Sequence, residues 1–200
     1  MIRTMTAVSA IALMLAAPAG AVTVFDGGGA ATLNTTEIDG VEVENATDLT
    51  VETGADVSTP NAVDAVVVKD TSTITVNDGT IAAGNRGNGI TAGRKVSVTV
   101  NDGNITGGNA GGSNRAGHGI QQDAGSNGIT GDIVINGGVI RGGTHSSNVA
   151  REGFGIVQQS DTDTGTLTIN GGTISRASNG RGIDKTGGDM FVSGGLIHSA

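Results

Sequence analysis

The stretch VNDGTI (76–81) recurs as VNDGNI (100–105), INGGVI (135–140), INGGTI (169–174) and VSGGLI (192–197), with a degenerate copy, VETGADV, at 51–57. Successive copies start 25, 24, 35, 34 and 23 residues apart. Upstream of each copy the apolar residues alternate: Leu49/Val51, Ile74/Val76, Val98/Val100, Ile133/Ile135, Leu167/Ile169, Met190/Val192. Alternation with period two puts one set of side chains on a single face of a strand. A second strand centres on the isoleucine that ends each copy. A third centres on the isoleucine of a recurring Gly-Ile pair: Ile90, Ile120, Ile156 and Ile183, with Ala65-Val66 in the degenerate copy.

Three short strands per repeat, separated by Gly and Asn corners, make one turn of a solenoid. Such a turn cannot bury its apolar face alone, and stacking puts isoleucine on isoleucine about 4.8 Å apart. The unequal spacing supports this arrangement. From Ile81 to Ile90 and from Ile174 to Ile183 is nine residues, but Ile105 to Ile120 is 15 and Ile140 to Ile156 is 16. The extra residues fall only at corners and leave the rungs intact. We expect an all-β, right-handed parallel β-helix of about six turns with three short strands each.

Composition agrees. The 200 residues include 36 glycines, two prolines, three phenylalanines, and no cysteine, tryptophan or tyrosine. Cysteine chemistry and disulfides are thereby excluded, as is a collagen period. Beyond residue 21 there are 15 isoleucines against four leucines, a balance that suits pleated strands over helices.

The repeat resembles the right-handed parallel β-helix family, the pectate-lyase-like superfold that bacterial autotransporter passengers and adhesins also use. The resemblance spans 49–200. Its most specific part is the corner asparagine: Asn77, Asn101, Asn136 and Asn170, with Thr53 and Ser193 at the ends. The resemblance implies that these amides form a ladder, and an amide is both donor and acceptor. Asparagine also tolerates the left-handed conformation. The ladder is structural.

Residues 1–21 read as a Sec-type signal peptide: Arg3, an apolar run from Ala7 to Ala17, and the small-x-small site Ala19-Gly20-Ala21. The run is too short to span a bilayer, and the mature chain contains no apolar stretch fit for a transmembrane helix. The address is extracellular or cell-surface, with the periplasm as alternative. The formal charge is −8, and −9 without Arg3, which opposes nucleic acid and anionic membranes as partners. Residues 22–48 fit the rungs poorly and read as an N-terminal cap or lead-in, followed by the β-helix over 49–200. The chain stops after a second strand, so we expect truncation, with an outer-membrane barrel or a cap possible downstream.

For chemistry, the superfold's polysaccharide-cleaving members use clustered aspartates, calcium and a basic residue. Candidates here are Asp123, Asp132, Asp161, Asp163, Asp184, Arg181 and Lys185. No aspartate position lines up over three neighbouring turns, so no catalytic residue is assigned; a lyase or hydrolase is the alternative function. His118 and His145 lack a third metal ligand, and the glycine runs lack G-K-[ST], so neither metal nor cofactor is assigned. Outward threonines such as Thr73, Thr75 and Thr99 follow from strand propensity. The better candidate is a ridge. The insertions 106–118 and 141–154 leave the same corner of adjacent turns and gather Arg115, His118, Arg141, His145, Arg151, Glu152 and Phe154, a local basic cluster on an acidic protein. Loops on a rigid scaffold carry recognition. We expect an exported structural or adhesive protein, its partner a host or environmental surface glycan or protein.

Overall fold

The computed structural model describes residues 3–5, 22–60, 62–123, 128–159, 162, 164–177 and 182–198. Sheet A comprises β1 (Arg3–Met5), β2 (Thr23–Asp26), β5 (Val41–Glu44), β8 (Val66–Val68), β11 (Ile90–Ala92), β14 (Ile120–Gln122), β17 (Ile156–Gln159) and β20 (Ile183–Thr186). Sheet B comprises β3 (Gly29–Leu33), β6 (Thr47–Val51), β9 (Thr73–Val76), β12 (Ser97–Val100), β15 (Ile133–Ile135), β18 (Leu167–Ile169) and β21 (Met190–Val192). Sheet C comprises β4 (Thr36–Glu37), β7 (Asp56–Ser58), β10 (Thr80–Ala82), β13 (Asn104–Thr106), β16 (Val139–Arg141), β19 (Thr173–Ser175) and β22 (Leu196–His198). From β2 onward each strand pairs in parallel with the strand three places away in sequence. The fold is a parallel β-helix.

Among the described residues the turns number seven, from β2–β4 to β20–β22, one more than the sequence motif suggests. The additional turn lies in residues 22–48, which the sequence alone presents as a cap or lead-in. Val41 and Val43 register with Val66 and Val68, and Leu33 registers with Val51. The motif conceals this turn because Glu37 stands in register with Val57, where later turns carry isoleucine. Its carboxylate is buried and accepts hydrogen bonds from Thr23 Oγ1 at 2.7 Å and Thr35 Oγ1 at 3.1 Å. A buried carboxylate with two donors is tolerated where an unpaired one is not. Of residues 1–21, β1 pairs with β2; the rest of the signal-peptide assignment lies outside the described residues.

The interior is built from like residues stacked on like. Ile81, Ile105, Ile140 and Ile174 form one file, and Ile90, Ile120 and Ile156 another; all are fully buried. Burying one such side chain contributes roughly 1.5–3 kcal/mol. In the last turn Ile197 continues the first file, Met190 and Val192 follow Leu167 and Ile169 of sheet B, and all three are exposed.

The asparagine ladder is present. Asn101 Nδ2 donates to Asn77 Oδ1 at 2.8 Å, Asn136 to Asn101 at 2.8 Å, and Asn170 to Asn136 at 2.9 Å. Two details differ from the sequence reading. The lower end is Glu52, whose Oε1 accepts from Asn77 at 2.9 Å, whereas Thr53 bonds Asp78; Ser193 closes the upper end on Asn170. The left-handed residue is the glycine two places after the asparagine, as at Gly79 (φ 103°) and Gly103 (φ 104°). Asparagine supplies the bond and glycine the bend.

Candidate functional site

The ridge arises at the corner from sheet C to sheet A. In the turn that begins with β8 this corner is short, Gly84-Asn85-Arg86-Gly87, with Gly87 N donating to Gly84 O at 3.0 Å. The next two turns keep this pair of glycines and lengthen what lies between them. One backbone chain then zigzags up the neck. Gly108 N donates to Gly87 O, Gly117 N to Gly108 O and Gly143 N to Gly117 O, each at 2.8 Å, and Gly153 N donates to Gly143 O at 2.9 Å. The two legs of each loop are thus zipped to each other and to the turn below. A Cβ on Gly108 would lie 1.6 Å from Gly84 O, and one on Gly117 1.7 Å from Gly87 O. Two columns of glycine, Gly84/Gly108/Gly143 and Gly87/Gly117/Gly153, make this neck possible.

Above the neck the two long loops lie side by side. Ala110 N donates to Thr144 O at 2.8 Å, Ser146 N to Ala110 O at 3.0 Å, and Ala116 N to Arg151 O at 2.9 Å. Most ridge residues named from sequence are engaged here. Arg151 Nη1 donates to Ser113 O and ties one loop to the other. Arg141 Nη2 reaches Ala177 O at 3.1 Å, one turn further. His145 is buried, and its Nδ1 accepts from Ser147 N at 3.2 Å and Asn148 N at 2.9 Å. Arg115 is exposed.

His118 and Phe154 belong to a second ladder that the sequence reading missed. Asn88 N donates to Asp64 Oδ1 at 2.7 Å, His118 N to Asn88 Oδ1 at 2.8 Å, and Phe154 N to His118 Nδ1 at 3.0 Å. Each side chain accepts the backbone N–H of the next turn. The signal was in the sequence: Asp64, Asn88, His118 and Phe154 each directly precede the small residue that opens the third strand, and the first three can accept. The His118 ring stacks on Phe154, with centroids 5.7 Å apart, and the Arg176 guanidinium lies 5.1 Å from the Phe154 centroid. Arg176 also meets Glu152, with Nε to Oε2 at 3.5 Å, and both residues are buried. The sequence places Glu152 in the ridge but not its partner, because the spacing of Arg176 carries no repeat signal.

Burial lowers the pKa of His118 from 6.5 to about 4, with Arg115 and Arg176 adding to the shift against the opposing pull of Asp184 and Asp64. Between pH 6.5 and 4 the unfolded chain takes up this proton and the native fold does not. The stability that His118 provides is therefore full above pH 6.5, falls as pH drops through that window, and levels off below it, a total of at most about 3 kcal/mol. His118→Asn keeps an acceptor of the kind Asn88 supplies one turn earlier, without the titration. Urea denaturation between pH 7 and 4 should show a wild-type loss that exceeds the variant's by this margin.

Among the described residues, the carboxylates named for an enzyme do not gather. Asp132 Oδ1 is held by Thr166 N and Oγ1, both at 2.8 Å, in front of sheet B. Asp123 Oδ1 accepts from Gln121 Nε2 at 2.7 Å, and Asp184 accepts from Gln159 on the outer face of sheet A. Asp161, Asp163 and Arg181 lie outside the described residues. Lys185 faces inward. Its Nζ donates to Gln158 Oε1 at 2.6 Å and Gly165 O at 3.2 Å, and Gln158 Nε2 donates to Gln122 Oε1 at 2.8 Å. Alternation from Ile120 and Ile156 already places Gln122 and Gln158 inside. Among the described residues no group of three or more His, Asp or Glu is placed to hold a metal, and no helix is long and apolar enough to cross a membrane.

No protein-family model, curated protein or solved structure matches the chain. Its fold therefore rests on its own repeat and strand register.

Proposed function

We propose that this is an exported, surface-displayed β-helical protein of the autotransporter-passenger or adhesin kind, a rigid rod that presents the ridge of its middle turns to a surface glycan or protein. The observation that carries this reading is the glycine neck. Both long loops are fixed to the solenoid by the zigzag from Gly84 to Gly153 and to each other through Ala110, Ala116 and Arg151. A loop held that way pays little ordering cost on binding. Arg115 at the exposed edge suits a polar or anionic group. The leader-like residues 1–21 support the export half of the proposal.

The test grafts the short corner onto the long one, replacing residues 109–116 by Asn-Arg as between Gly84 and Gly87. Adhesion to a panel of cells and immobilised glycans is then compared with wild type, alongside thermal unfolding. The expected result is binding by wild type that the graft abolishes while its unfolding stays cooperative. Binding that survives in the graft, or wild type that adheres to nothing on the panel, overturns the proposal.

A further inference from the structure

A second corner, between sheets A and B, carries an unassigned feature. The tight turns after β8 and β11 stack there. Ser72 N donates to Lys69 O at 3.1 Å, Val96 N to Gly93 O at 3.0 Å, and Gly93 N to Val68 O at 2.8 Å joins the two. Their outer surface forms an open cleft of about 580 Å³ lined by Lys69, Asp70, Thr71, Gly93, Arg94 and Lys95. Three cations meet here in a chain of net charge −8.

The partners of these groups are uneven. Lys69 pairs with Glu42 and Glu44 of the turn below. Asp70 Oδ2 accepts from Asn45 N at 3.4 Å, which directs this carboxylate toward the lower turn. Arg94 and Lys95 have no acidic partner among the described residues. The Arg94 Nε is buried and has no hydrogen-bond partner among the described residues. A buried charged donor left unmade is costly, and a small rotation of the guanidinium onto an acceptor in the cleft would recover the bond.

We propose that this cleft binds a tetrahedral oxyanion, a sulfate or phosphate ester group carried on a glycan. Arg94, Lys95 and Thr71 line the cleft as separate residues and offer a guanidinium, an ammonium and a hydroxyl, a donor set that suits a group with three free oxygens. The cleft is much larger than a free anion and leaves room for the sugar that bears it. Dense phosphate arrays such as nucleic acid are opposed by the acidic remainder of the surface. The site lies at a different corner from the ridge and stands without it.

Isothermal titration of the whole protein with dextran sulfate, phosphorylated dextran, carboxymethyl dextran and plain dextran at low ionic strength tests this. Saturable binding is expected for the sulfated or the phosphorylated polymer, and the preferred one identifies the ester. Arg94→Gln with Lys95→Gln should weaken it by about tenfold or more, while Arg86→Gln should not. Arg94→Met without ligand should melt at or above the wild-type temperature, because it removes an unpartnered donor; an arginine kept for packing would melt lower. Equal binding of all four polymers, no binding, an unaffected Arg94/Lys95 variant, or a destabilised Arg94→Met each overturns the proposal.

Discussion

Gly117→Ala is expected to destabilise the protein by about 3 kcal/mol or more, although it adds a single methyl group. The methyl would lie 1.7 Å from Gly87 O and close to Gly108 N, both backbone atoms of the neck. A side chain in the way can rotate, but this backbone is fixed by the hydrogen bonds from Gly108 to Gly87 and from Gly143 to Gly117. Relief requires the loop legs to separate, which breaks the zigzag in two turns at once. Gly112→Ala is the control. It lies in the same loop with nothing within 4 Å of an added Cβ, and its φ of 67° carries only the left-handed cost, about 1 kcal/mol. Equilibrium urea denaturation of the two variants should separate them by at least 2 kcal/mol; equal stabilities would mean that the neck is open.

Glu152→Ala should cost about 3–5 kcal/mol, because it leaves the Arg176 charge buried without its carboxylate. Glu152 is 2% exposed and Arg176 8%. The backbone carbonyl of residue 152 still accepts from Arg176 Nη2 at 3.4 Å in the variant, so the guanidinium keeps that contact but loses the Glu152 carboxylate. Arg176→Met in the Glu152→Ala background should restore much of the loss, since methionine removes the buried charge that has lost the Glu152 carboxylate. The coupling energy from this double-mutant cycle is the measurement. A value near zero would show that the pair is solvated. The Phe154 stack should loosen with it, and one-dimensional proton NMR of the ring reports that.

The strand files were legible because a β-helix repeats its environment. Ile81, Ile105, Ile140 and Ile174 meet the same neighbours, so they converge on the same residue at fixed positions, and period-two alternation does the rest. The first turn was hidden for the converse reason: Glu37 with Thr23 and Thr35 solves the same position by hydrogen bonding, which has no apolar signature. In the ridge, the sequence located the two insertions but misjudged several members. His118 and His145 look like free loop imidazoles, yet both spend Nδ1 on backbone N–H groups. Lys185 looks like an outer-face base, yet it completes an interior file with Gln158.

By itself the sequence determined the solenoid, its three sheets and its asparagine ladder, because these depend on spacing along the chain and on contacts that recur every turn. Tertiary structure alone decided which polar groups are used up and which remain. Glu152 meets Arg176 24 residues away, Asn88 caps His118 across 30, and Arg94 Nε has no partner among the described residues. Such pairings depend on loop paths and on which side a leg passes, and nothing in a local pattern encodes them. The glycines show both levels at once. Their number marks a chain of tight corners, and only the stacked turns explain why Gly108, Gly117, Gly143 and Gly153 have no room for a methyl group.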